Sequence, residues 1–154
     1  MQPFFADYLN CLESLHNDIK ASLADLPLVG LDWKPSDGMN SLCVLAVHVA
    51  GSERYWIGDV VAREPSGRNR ESEFHTQGLD AFSLVERLDG SLSYMRNVFE
   101  GLALVDLEKG TISPRDGFES NVGWVLGHVL VHTGIHAGHA QMTRQLWEQQ
   151  RKEK

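Results

Sequence analysis

Apolar residues recur at three- and four-residue steps through four long segments of this 154-residue chain, and almost nothing alternates with the two-residue period of a strand. A chain patterned in this way buries its apolar surface by packing helix against helix. The first segment covers residues 4–24, with Phe5, Tyr8, Leu12, Leu15, Ile19 and Leu23 on one side, and stops before Pro27. The second covers 41–62, capped by Asn40 or Ser41, with Leu45, His48, Ser52, Trp56 and Val60 along one line. The third starts at a cap, Asp80, and carries Phe82, Val85, Leu88, Leu92, Met95, Phe99 and Leu102. The fourth follows a cap at Ser120 or Asn121 and runs to about Gln149.

The expected fold is therefore all-α, a four-helix bundle in one domain over residues 4–149, with a polar tail at 150–154. Its connections are long. Residues 30–40, 64–78 and 108–120 each exceed the two to eight residues usual between helices of an up-down bundle, which predicts crossovers or loops that shape a site mouth. The stretch 64–78 is the least hydrophobic and is expected to be a mobile loop.

Twenty-one acidic against fourteen basic residues give a formal charge of −7, which argues against nucleic acid as a partner. No apolar run reaches the length of a membrane span, and Met1-Gln-Pro-Phe-Phe lacks the features of a signal peptide, so a cytoplasmic location is expected. The two cysteines, Cys11 and Cys43, fall inside helices and read as reduced, mostly buried thiols.

Four of the seven histidines lie within twelve residues of the fourth helix, His128-Val-Leu-Val-His132-Thr-Gly-Ile-His136-Ala-Gly-His139. At 100° per residue they occupy an arc of roughly 80° on one face. Trp124, Val125, Ile135, Met142 and Leu146 share that face, which is expected to point inward. Buried imidazoles need partners, and neutral imidazole is a common ligand of zinc, nickel, copper and iron. Two histidines four apart can share one ion, and both His128/His132 and His132/His136 satisfy that rule; periodicity does not choose between them. A third ligand must come from another helix. His48 sits between apolar residues at helical spacing and should face the core, whereas His16 reads as a surface or boundary residue and His75 lies in the loop. No inward Asp or Glu is evident within one turn of these histidines, although Glu53 or a loop acid could serve as a base.

The run from His48 to Trp56 (His-Val-Ala-Gly-Ser-Glu-Arg-Tyr-Trp), followed by His132-Thr-Gly-Ile-His136-Ala-Gly-His-Ala-Gln-Met-Thr-Arg144, resembles the DinB-like superfamily. Trp33-Lys-Pro35 followed by Asn40-Ser41-Leu42 is similar to the approach to its second helix. The resemblance covers residues 4–149 and implies a four-helix bundle, often dimeric, with a divalent metal on His48, His132 and His136. It also chooses the second helical pair, because Ala137-Gly138 resembles the small residues that follow the last ligand. His128, His139 and Tyr55 are then expected around the pocket. The family includes transferases and isomerases that use mycothiol or bacillithiol.

Three neutral histidines and no carboxylate leave an ion with open positions, the arrangement of catalytic sites. The expected function is a metal-dependent enzyme, with zinc or nickel bound, acting on a small-molecule substrate through a metal-bound low-molecular-weight thiol as transferase or isomerase. The alternatives are a metal-dependent hydrolase and a metal-binding stress protein without turnover. No catalytic residue is assigned by the sequence, and a homodimer is the expected assembly.

Overall fold

A computed structural model describes residues 1–152; Glu153 and Lys154, the end of the expected tail, lie outside the described residues. Helix α1 spans Pro3–Leu23, α2 is a single turn at Leu28–Leu31, α3 spans Leu42–Glu53, α4 is a turn at Arg70–Glu73, α5 spans Ala81–Glu100 and α6 spans Val122–Lys152. The expected caps hold. Ser41 accepts from Val44 N, Asp80 from Ser83 N, and Asn121 Oδ1 from Trp124 N at 2.7 Å. Helix α6 runs beyond Gln149 through the first described part of the expected tail.

The four long helices form the bundle, with α1 and α3 each lying against both α5 and α6. Successive helices α1 and α3 are thus diagonal to one another, so the first long connection crosses the bundle, as does the third, from α5 to α6. The second joins neighbours and is free to build structure of its own. It is not the loose loop that its polarity predicts: Asn69 caps α4, and Glu73 is buried. The third connection also departs from the all-helical expectation. After a 3₁₀ turn at Leu104–Glu108, strands β1 (Gly110–Ile112) and β2 (Glu119–Asn121) pair antiparallel, with Thr111 opposite Ser120.

The second predicted helix changes character midway. From Arg54 to Ala62 it widens into a π-helix, which ends at Arg63 in the left-handed region at φ 60°. Gly58 leaves room there for the Arg54 guanidinium, which passes over it to the Glu64 carbonyl and the Tyr94 ring.

The core is divided in two. One apolar cluster gathers Phe5, Leu12, Trp56, Met95 and Val125, and the other Ile19, Leu42, Leu84, Leu88 and Ala140. Between them lies a buried polar layer with one member from each long helix: His16, Glu53, Ser91 and Thr133. The Glu53 carboxylate accepts from Ser91 Oγ at 2.6 Å and Thr133 Oγ1 at 2.8 Å, and meets His16 Nε2 at 2.9 Å. His16 is therefore fully buried, contrary to its reading as a surface or boundary residue, because its partner lies 37 positions away and hydropathy does not register it. Cys43 is buried as expected, but Cys11 is exposed.

Helix α6 buries a different arc from the one its large residues suggest. The inward line is Val125, Val129, Thr133, Ala137, Ala140, Thr143 and Trp147, whereas Trp124, Ile135 and Met142 are exposed. Small residues at the middle of that line let α6 approach its neighbours closely, which leaves the histidines at the boundary rather than in the core. Phe82 on α5 is likewise exposed, its expected place taken by Leu84.

Candidate metal centre

His48 projects from the middle of α3, and His132 and His136 from consecutive turns of α6; α3 and α6 are neighbours, so the three imidazoles converge. One ligand nitrogen from each can be chosen so that all three lie within 4.8 Å of one another. The Nε2 atoms of His48 and His132 are 3.1 Å apart, and the His132 and His136 ring centroids 4.4 Å. Two nitrogens bound at 2.0–2.1 Å to one tetrahedral ion stand roughly 3.3 Å apart.

The other face of His48 is fixed by residues that sequence reading does not find. Glu73 Oε2 lies 2.8 Å from His48 Nδ1, and Arg68 holds the same carboxylate with Nε to Oε1 at 2.6 Å and Nη2 to Oε2 at 2.8 Å. Burial raises the pKa of Glu73, but the hydrogen bonds from Arg68 and His48, with their charges, outweigh it and hold the carboxyl below its ordinary value. An ionised Glu73 only accepts, so the His48 proton sits on Nδ1 and Nε2 keeps its lone pair. The close approach to His132 Nε2 then needs a proton or a cation between the two nitrogens. This is the carboxylate–histidine arrangement that orients and strengthens a metal ligand. The acid comes from the loop, as the sequence leaves open, but it is seated on a ligand's far nitrogen and Glu53 is not the one in reach.

Gly51, one turn after His48, makes the contact possible. A Cβ there would lie 2.3 Å from Glu73 Oε1. Phe74 packs on the His48 ring with centroids 4.9 Å apart. No helical period announces Glu73 or Phe74; the only sequence signal was a cap residue, Asn69, inside a polar stretch.

Burial, reinforced by the neighbouring imidazoles, pushes His132 down to about 3 and His136 down to about 4, so both are neutral at pH 7 and able to bind a cation. His128 lies one turn earlier, its ring stacked on Trp124 at 5.0 Å and 6°, with Trp56 at its edge. Its pKa is lowered by burial and by Arg115. His139 is exposed at the other end, 3.4 Å from His136 between Nδ1 atoms. Tyr55 does not open on the site. Its hydroxyl meets Ser113 Oγ at 2.7 Å and accepts from Arg115 N at 3.2 Å, tying the hairpin segment to the π-helix. That tie sets Arg115 beside His128, and Phe118 packs on Trp124. One flank of the triad is therefore aromatic, with a cation at its edge.

The fold is similar to that of a conserved protein from Enterococcus faecalis, with a TM-score of 0.80 at 13% identity over 95% of this chain and 98% of that one. It is also similar to YfiT from Bacillus subtilis, described as a probable metal-dependent hydrolase with an unusual four-helix bundle topology, with a TM-score of 0.74 at 14% identity over 94% and 89%. Identities this low speak for the fold alone. No curated protein matches the chain. A family model for mycothiol-S-transferase matches residues 8–149, a span that holds all four long helices' contributions to the polar layer and every histidine of the triad. The chain belongs to the mycothiol-S-transferase family, within the DinB-like superfamily.

Proposed function

We propose that the protein holds one divalent cation on His48, His132 and His136 and uses it to activate a low-molecular-weight thiol for transfer to, or rearrangement of, a small-molecule substrate. The observation that carries this reading is the locked imidazole: Glu73 fixes His48 with its Nε2 lone pair 3.1 Å from His132 Nε2, a donor set without a carboxylate ligand that suits zinc or nickel. An ion there would lower the pKa of a coordinated thiol or water toward neutrality.

The chain's own residues supply the rest. Arg68 keeps Glu73 ionised, and Glu73 keeps His48 in the ligating tautomer. His128 stays neutral beside the triad and can take the proton that the thiol gives up. Trp124 and Phe118 offer an apolar wall for the substrate carbon, beside the Arg115–Asp116 ion pair. Because Glu73 is bound on both oxygens, it is not free to activate water, which favours the thiol over hydrolysis. The family supports mycothiol as the first thiol to try.

Elemental analysis of the purified protein should give about one divalent ion per chain. His48→Ala and His136→Ala should lose most of it and His128→Ala should keep it. After cobalt replacement, mycothiol should raise a sulfur-to-metal charge-transfer band that His48→Ala removes. No band with any thiol, together with metal-dependent cleavage of ester or amide probes, would replace this reading with hydrolysis; silence in both assays would leave a metal-binding protein without turnover.

A further inference from the structure

A cavity of about 650 Å³ lies behind the metal centre, separated from it by Glu73 and Arg68. It does not open on the three imidazoles. Its walls are the face of α3 at positions 47, 50 and 51, continued by Arg54 at the start of the π-helix, and the face of α5 at 87, 90, 91 and 94, each spaced as one side of a helix, roofed by the α4 segment. The space exists because small residues face it from both helices: Ala50 and Gly51 on α3, Gly90 and Ser91 on α5. The cavity is an open cleft rather than an interior void, with Arg87 and Gly90 exposed at its rim, and a volume between about 300 and 1,000 Å³ is that of a small-molecule site.

Its charge is opposite to that of the chain. In a protein of formal charge −7, three arginines, Arg54, Arg68 and Arg87, converge on this cavity against one carboxylate, Glu73. Arg68 is committed to Glu73, and Arg54 to the Glu64 carbonyl and to Asp59 at 3.6 Å. Arg87 is held by no hydrogen bond or ion pair among the described residues, so its guanidinium is available at the rim. Hydroxyl and amide side chains fill most of the remaining polar wall. We propose that this cavity is a second ligand site, taking a small anion that bears a carboxylate or phosphate group, with Arg87 as its charged anchor. The site stands whether or not the histidine triad holds a metal.

Titration calorimetry on the full chain as purified, with inorganic phosphate and separately with succinate, tests it. At least one should bind with a Kd of about 1 mM or tighter, and which one does identifies the anion class. Arg87→Ala should weaken that binding by about tenfold or more, the usual consequence of losing one charge-assisted hydrogen bond. Gly90→Leu supplies an independent arm. A Cβ at Gly90 meets nothing within 4 Å, and leucine is the better helix former, so the variant should fold, keep its metal content and lose anion binding by filling the cavity. Failure of both anions to bind, or unchanged affinity in either variant, would overturn the proposal.

Discussion

Replacing Glu53 should cost this protein a large share of its stability, and the structure says how much. Glu53 is 1% exposed and satisfies three groups at once: Ser91, Thr133 and His16, themselves 6%, 0% and 0% exposed. Glu53→Ala leaves all three without that partner, Thr133 and His16 where water does not reach. One orphaned buried polar group costs about 1–3 kcal/mol, and the vacated space lets the two hydroxyls turn toward other acceptors, so the three together cost about 3–5 kcal/mol. A loss of about 3–5 kcal/mol compares with a total of about 5–15 kcal/mol for a domain. Urea unfolding followed by circular dichroism should show a lower midpoint at unchanged slope. Replacing the whole layer by apolar groups, His16→Leu, Glu53→Leu, Ser91→Ala and Thr133→Val together, should recover most of the loss, since no donor is then left orphaned. A Glu53→Ala variant within 1 kcal/mol of the parent, or a fourfold variant less stable than the single one, would refute the assignment of the layer as one interdependent unit.

Gly51→Ala and Glu73→Gln act on opposite sides of one contact and should each weaken metal binding by about 10–100-fold in competition with a chelator, with little change in the far-ultraviolet dichroism. The metal-free protein should lose stability as pH falls from 6.5 toward about 4 and 3. His136 and His132 have folded values depressed to those levels, so across that window the unfolded chain takes up protons that the folded one refuses; urea midpoints at pH 7.5 and 5.0 give the sign directly. The exposed line Trp124, Val131, Ile135 and Met142 extends roughly 27 Å along α6 and should pair with a second copy. Sizing at micromolar concentration should then give a dimer that Ile135→Glu dissociates, and a 17.2 kDa species for the parent would contradict it.

What is legible in the sequence is what periodicity can carry, with one addition from resemblance. Helix positions are fixed by their neighbours three and four residues away, so the long helices, the caps at Ser41, Asp80 and Asn121, and an inward His48 follow from spacing, while the choice of His132 and His136 over His128 as its partners follows from the family resemblance alone. Glu73 follows from neither, because it reaches His48 from a connection whose polarity suggests disorder, and its own bonds are what order that connection. His16 and Glu53 do not show as a pair for the same reason: His16 reads as a surface or boundary residue and Glu53 as a possible base until each, on its own helix, is placed beside the other. The rotation of α6 departs from the expected one because its largest residues are not its most buried ones. Thr133, Ala137 and Ala140 lie at the tightest contact, where large side chains would not fit, and Trp124 and Ile135 remain outside.

The π-helix at Arg54–Ala62 makes residue number itself a requirement of the site. Each wide turn takes up one residue more than an α-turn, so the chain leaves this helix pointing elsewhere than a regular continuation would. A deletion between 54 and 62 that the wide turns do not absorb would shift everything after it by one residue, a swing of roughly 100° at an α-turn. That would carry Arg68 and Glu73 away from His48 although every ligand and every partner were still encoded. In this protein an insertion or deletion that removes no histidine can therefore silence the centre as thoroughly as the loss of a ligand.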